Sequence, residues 1–130
     1  MEKRTFIIAS ILGGLVVVIG AYGAHGLKPL LTQDQFNSFE TAVRYQFYHC
    51  FVLLIISICV LKNSNLYLKY ATLSYLIGIV LFSGSIYLLA TKNLHGLPVS
   101  WAGPLTPIGG LFLVLGWILL TIYGFKKVNN

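Results

Sequence analysis

Cutting the chain at its charged residues leaves four long uncharged stretches, 5–27, 45–61, 70–91 and 93–125, rich in Leu, Ile, Val, Phe and Gly. A helix needs about 20 apolar residues to cross the hydrocarbon core of a bilayer. The first and third stretches meet that length directly, and the fourth holds a span and a loop. The second is short alone but extends backwards through Ala42 and Val43 if its helix begins before entering the lipid. The pattern predicts four transmembrane helices at about 5–24, 45–62, 68–91 and 105–125.

Between the first two spans lies LKPLLTQDQFNSFETAVR. Pro29 stops the first helix, Thr32 or Asp34 can cap the next, and Phe36, Phe39 and Val43 recur at helical spacing. This describes an amphipathic interfacial helix over about 33–44 that runs into the second span, with Glu40 and Arg44 forming an i,i+4 pair on its polar side. The architecture expected is therefore an all-α membrane protein, a four-transmembrane-helix bundle with an interfacial helix between spans 1 and 2, in a single domain over residues 1–130.

Composition agrees with this pattern. The chain is 57% hydrophobic and only 9% charged, against a soluble average near one-half apolar and about one-quarter charged. The apolar run after Lys3 and Arg4 is too long for a secretory signal core and three further spans follow, so it is expected to stay as the first span. Cys50 and Cys59 lie within one apolar run at a spacing that fits neither a CxxC motif nor a disulfide framework, and they read as packing residues. The net charge of +6 is scattered in ones and twos between apolar blocks, which suits span ends rather than nucleic acid.

Those basic residues also orient the chain. A cytoplasmic N-terminus puts Lys3, Arg4, Lys62, Lys69, Lys126 and Lys127 inside and leaves Lys28, Arg44 and Lys92 outside. The excess of positive charge predicts a multi-pass protein of the cell membrane with both termini cytoplasmic. His25, His49 and His95 then fall towards the outer face. Tyr67, Tyr70, Trp101 and Tyr123 suit interfacial aromatic belts.

Small residues supply the packing signal. Ala9 with Gly13, and Gly20 with Ala24, form small-xxx-small pairs in the first span; Gly78 and the Ser83-Gly84-Ser85 triplet mark the third, and Gly109, Gly110 and Gly116 the fourth. Such residues let backbones approach where lipid provides no hydrophobic drive.

Taken in order, GAYGAHGL at 20–27, TAVRYQFYH at 41–49, LFSGSIYLL at 81–89 and GPLTPIGG at 103–110, followed by Trp117, resemble the pattern of domain-of-unknown-function family 423. These are small bacterial membrane proteins related to the eukaryotic transmembrane protein 256-like proteins. The resemblance runs through nearly the whole chain. Tyr22 stands where the family pattern leads one to expect phenylalanine, a conservative departure. The resemblance implies a four-span membrane protein and no established activity.

Catalytic chemistry finds little support. The only carboxylates are Glu2, Asp34 and Glu40, so no acid/base pair lies within a span. Ser83 and Ser85 lack a GxSxG context and are expected to hydrogen-bond to backbone carbonyls or across a helix interface. The protein is expected to be non-enzymatic and to carry no cofactor. His25 closes the first helix and His49 opens the second, so a metal or haem held by that pair is an alternative. A small transporter or oligomeric channel is another, although no charge lies deep in a span and no internal repeat is evident.

The polar residues that remain form the candidate site. His25, Tyr45, Gln46, His49, Ser83, Ser85 and Thr106 come from all four helices and are expected at similar depth in the outer leaflet. Ala24 and Gly26 beside His25 are expected to make room for the second helix. The cluster is expected either to lock the bundle by hydrogen bonds or to hold the polar head of a lipid or quinone-like molecule. The favoured role is an accessory or structural subunit, or a binder of such a molecule. Membrane lipid is the expected partner, a homo-oligomer or a larger membrane complex is left open, and nucleic acid is not expected.

Overall fold

Four helices of 25 to 28 residues are long and apolar enough to cross a membrane: Lys3–Leu27, Gln33–Val60, Leu66–Ala90 and Ser100–Lys127. The structure, a computed structural model, describes residues 2–62 and 65–128. Helix α1 (Glu2–Tyr22) passes into a π-helical turn, Gly23–Leu27, closed by the Lys28 amide donating to the Gly23 carbonyl at 2.9 Å. Pro29, which has no amide proton, lies in the turn that follows.

Thr32 starts α2 (Gln33–Lys62). Its hydroxyl accepts from the Gln35 amide at 3.3 Å while the Gln35 side chain accepts from the Thr32 amide at 3.0 Å, a reciprocal cap that satisfies two donors at the helix start. The amphipathic segment 33–44 joins the second span without a break, and α2 is 30 residues long. At 1.5 Å per residue that is about 45 Å, well beyond a hydrocarbon core of about 30 Å, so one end of α2 reaches past the apolar layer. The apolar side of this segment is buried within the protein through Phe36, Phe39 and Ala42. Glu40 and Arg44 are exposed but do not form the expected ion pair; Arg44 Nη2 donates to the Thr41 hydroxyl at 3.4 Å.

Asn65 caps α3 (Leu66–Ile79), its side chain accepting from the Tyr67 amide at 2.8 Å. A second π-helical turn, Val80–Gly84, joins α3 to α4 (Ser85–Ala90) in one continuous span. The short α5 (Lys92–His95) ends at Gly96, whose φ of 65° is the left-handed conformation glycine adopts without a steric penalty. His95 is held in this connection, with Nδ1 accepting from the Leu97 amide at 3.0 Å and Nε2 donating to the Leu88 carbonyl at 3.1 Å. Helix α6 (Leu105–Val128) completes the bundle with Pro107 in its first turn, where proline is tolerated.

The helices pair as α1 along α2 and α3 along α6, and contacts of α2 with α3 and α4 bring the two pairs together. Leu53, Ile56, Leu68, Ala71 and Tyr75 centre the core. Glycines set the approach of α6 to α3 and to the second π turn. A Cβ on Gly109 would run into the Phe82 amide nitrogen and stand 2.7 Å from the Leu81 carbonyl carbon, and one on Gly116 would meet the Tyr75 ring at 2.6 Å. By contrast, nothing lies within 4 Å of a Cβ built on Gly13, so the Ala9 and Gly13 pair does not mark a close backbone crossing. Phe6, Ile11 and Val18 on α1, with Leu111, Val114 and Ile118 on α6, face outward, as a lipid-facing surface requires.

Candidate functional site

Polar side chains of α2, the second π turn, α4 and α6 form a seam that reaches the backbone of α1. Gln46, only 5% exposed, donates from Nε2 to the Leu12 carbonyl of α1 at 3.1 Å and accepts through Oε1 from the Tyr87 hydroxyl of α4 at 2.9 Å. Ser83, in the second π turn, donates to the Ala42 carbonyl of α2 at 2.8 Å. Ser85 and Thr106 share a hydrogen bond of 2.7 Å between α4 and the start of α6, and Ser85 also donates to the Phe82 carbonyl at 3.0 Å. Buried polar groups in a span must find partners within the protein, and each of these does.

His49 ends the seam. It is 5% exposed; its Nδ1 lies 2.7 Å from the Tyr45 carbonyl and its Nε2 lies 3.3 Å from Trp117 Nε1. An indole nitrogen can only donate, so Nε2 accepts and the proton of a neutral imidazole sits on Nδ1, donating to Tyr45. The ring is flanked by Tyr75 at 5.3 Å and Trp117 at 6.3 Å between centroids. Tyr75 itself is fully buried against Gly116, and its hydroxyl has no hydrogen-bond partner among the described residues.

The seam is spread in depth. Thr106 lies in the first turn of α6 and Trp117 eleven residues further on, about 16 Å along the axis. His49 falls near the middle of α2, about 24 Å from its start. The polar cluster therefore runs from one end of the bundle to mid-span instead of occupying a single level in the outer leaflet.

His25 is not part of it. The residue is exposed in the first π turn, and the space made by its small neighbours is filled by rings: Phe39 occupies the site of a Cβ on Gly23, and the Tyr22 ring lies 2.7 Å from one on Gly26. Because Gly23 stands level with Phe39, His49 is ten residues further along α2, about 15 Å away. The two histidines do not meet as a ligand pair, and no group of three or more His, Cys, Asp or Glu side chains is placed to hold a metal among the described residues. Tyr45 is partly exposed and stacks on Phe82, with centroids 4.9 Å apart.

A lateral groove of ≈ 600 Å³ opens beside His49 between α2, the second π turn and α6. Tyr45, Tyr48, Phe82 and Trp117 give it aromatic walls, Leu111 and Val114 an aliphatic side, and His49 its polar floor. Trp117 is 51% exposed, so its ring stands between the buried imidazole and the membrane. Trp117 and Tyr48 were not among the expected site residues. The available signal was a tryptophan in the middle of a span, away from the interfacial position that residue favours.

The model for the family described as "Protein of unknown function (DUF423)" matches residues 19–110. The chain belongs to the DUF423 family. Relatives align over nearly the whole chain: a UPF0382 membrane protein of Staphylococcus haemolyticus is 38% identical over 98% of this chain and 99% of its own, and one of Haemophilus influenzae is 33% identical over 98% of each. The UPF0382 inner membrane protein YgdD of Escherichia coli is 31% identical over 93% of this chain and 88% of its own. No solved structure matches the chain. The DUF423 match spans the first π turn, the whole of α2, the second π turn and the start of α6, and hence every seam side chain except Trp117. This is a four-span membrane protein of an uncharacterised family.

Proposed function

We propose that the protein is a non-enzymatic membrane protein that holds a lipid-like molecule bearing a carbonyl or hydroxyl group, of which a quinone is one form, in the groove beside His49. The observation that carries this reading is the part-buried Trp117–His49 hydrogen bond, 3.3 Å long, at the floor of an aromatic groove open to the membrane. Its volume falls within the range of about 300–1,000 Å³ typical of small-molecule sites, as does its apolar lining with few polar groups. A carbonyl entering the groove would take the Trp117 N–H, and a hydroxyl would donate to the freed His49 Nε2. The rest of the seam, through Gln46, Ser83 and Ser85, locks the helices around the groove. An accessory role within a larger membrane complex, or in a homo-oligomer, is compatible with this occupant. Both termini are assigned to the cytoplasm by the distribution of basic residues.

The chain has two tryptophans, so W101F leaves Trp117 as the single indole reporter. Titrating a short-chain quinone into W101F in mild detergent should quench that fluorescence saturably, and W101F/H49A should bind about 2- to 10-fold more weakly, the effect of one neutral hydrogen bond. Extraction of the purified protein should also release a lipid-like molecule that W101F/H49A loses. Linear, non-saturable quenching together with no copurifying molecule would overturn the proposal.

A further inference from the structure

We infer a second binding site, for an anionic phospholipid of the bilayer, in the cleft between α1 and α3 at the end of the bundle remote from Thr106. The cleft has a volume of ≈ 480 Å³, with Arg4 and Lys69 beside Tyr70 at one end and Ile8, Leu73 and Leu76 along its walls. Arg4, Lys69, Ile8, Tyr70 and Leu73 are exposed.

The choice of cleft rests on what the cations do. Lys126 is engaged: its Nζ donates to the Tyr67 hydroxyl at 2.7 Å and sits 4.6 Å from that ring's centroid. Lys127 lies 6.0 Å from the centroid of the Tyr123 ring. Arg4 and Lys69 make no side-chain hydrogen bond, ion pair or ring contact among the described residues, although they line the same cleft. Two unpaired cations at the mouth of an apolar cleft match one ligand chemistry, a phosphate joined to acyl chains. The phosphate takes the guanidinium and ammonium donors, and a chain lies along Ile8, Leu73 and Leu76. Basic pockets between transmembrane helices hold anionic headgroups by this division between polar and apolar parts. A soluble phosphate would leave the apolar walls without a partner, and a zwitterionic lipid would bring its own cation towards Arg4 and Lys69.

This site is independent of the His49 groove, and its test is separate. The full-length protein is reconstituted in phosphatidylcholine nanodiscs containing a minor fraction of phosphatidylglycerol, and lipids retained on release into the gas phase are counted by native mass spectrometry. Wild type should keep phosphatidylglycerol in preference to phosphatidylcholine. R4Q/K69Q should reduce that preference by about 30-fold, corresponding to ~1 kcal/mol for each basic residue near the surface, whereas K127Q should leave it unchanged. Equal retention of both lipids by wild type, an equal preference in R4Q/K69Q, or an equal loss in K127Q would overturn the assignment. So would displacement of the lipid by inorganic phosphate but not by chloride of equal ionic strength, which would identify a free-ion site.

Discussion

Replacing Gln46 by leucine keeps a side chain of similar size but removes the polar link from α2 to both Leu12 and Tyr87. The Leu12 carbonyl is a helix acceptor of α1, so its loss is small. The Tyr87 hydroxyl is left without its acceptor inside the bundle, and an unsatisfied buried group of this kind costs about 1–3 kcal/mol. Tyr87→Phe alone should be similarly unfavourable, because Gln46 Oε1 loses its donor while Nε2 keeps the Leu12 carbonyl. In Q46L/Y87F neither orphan exists, so the double variant should be less destabilised than the sum of the singles. Coupling energies for hydrogen bonds between membrane helices average about 0.6 kcal/mol and reach about 1.7; for this part-buried pair, bonded at 2.9 Å, we expect about 1 kcal/mol. Reversible unfolding of the four proteins in mixed micelles of mild and denaturing detergent gives the cycle directly. Additivity within about 0.3–0.5 kcal/mol, the scatter of independent sites, would show that the Gln46–Tyr87 bond does not hold α2 to α4 and would refute the seam as a structural element.

Gly109→Ala places a methyl group against the backbone of Leu81 and Phe82, which cannot turn aside as a flexible side chain can, and should destabilise the bundle by about 1–3 kcal/mol in the same unfolding assay. Wild-type stability would mean that α3 and α6 are further apart than described. His25→Ala should change stability by less than about 0.5 kcal/mol, since the ring is exposed and outside the seam; a thermal-shift loss as large as that of H49A would return His25 to the site. A reporter active only in the cytoplasm should be active when fused after Asn130 and silent when inserted beside Lys92; the reverse pattern would invert the orientation.

The spans were legible because a run of apolar residues about 20 long has few other uses, and polar residues within such runs stand out for the same reason. Gln46, Ser83, Ser85 and Thr106 could thus be named from the chain alone. Thr32 was legible as a cap, although only the structure separates it from Asp34 and supplies Gln35 as the reciprocal partner. His25 was misplaced because glycine signals that something comes close without saying what. Here the close neighbours are Phe39 and Tyr22. The pairing of Trp117 with His49 spans 68 positions and depends on how α6 is turned about its axis, which no local pattern encodes. Neither π turn was foreseen, since a single widened turn leaves an apolar stretch as apolar as before.

The second of those turns acts as a phase shifter. A π turn holds one residue more than the α-helical turn it replaces, so it sets every later side chain back by about 100° relative to an uninterrupted helix. Ser85 and Tyr87, which reach Thr106 and Gln46, follow that offset. Deleting one residue within 80–84 would leave a regular helix of ordinary hydropathy that still crosses the membrane and still packs α3 on α6. The part beyond the deletion would present a different face to α2 and α6, uncoupling the two ends of one span. A change of length at this turn therefore moves every contact beyond it at once, whereas a change of one side chain, Ser83 included, removes only its own.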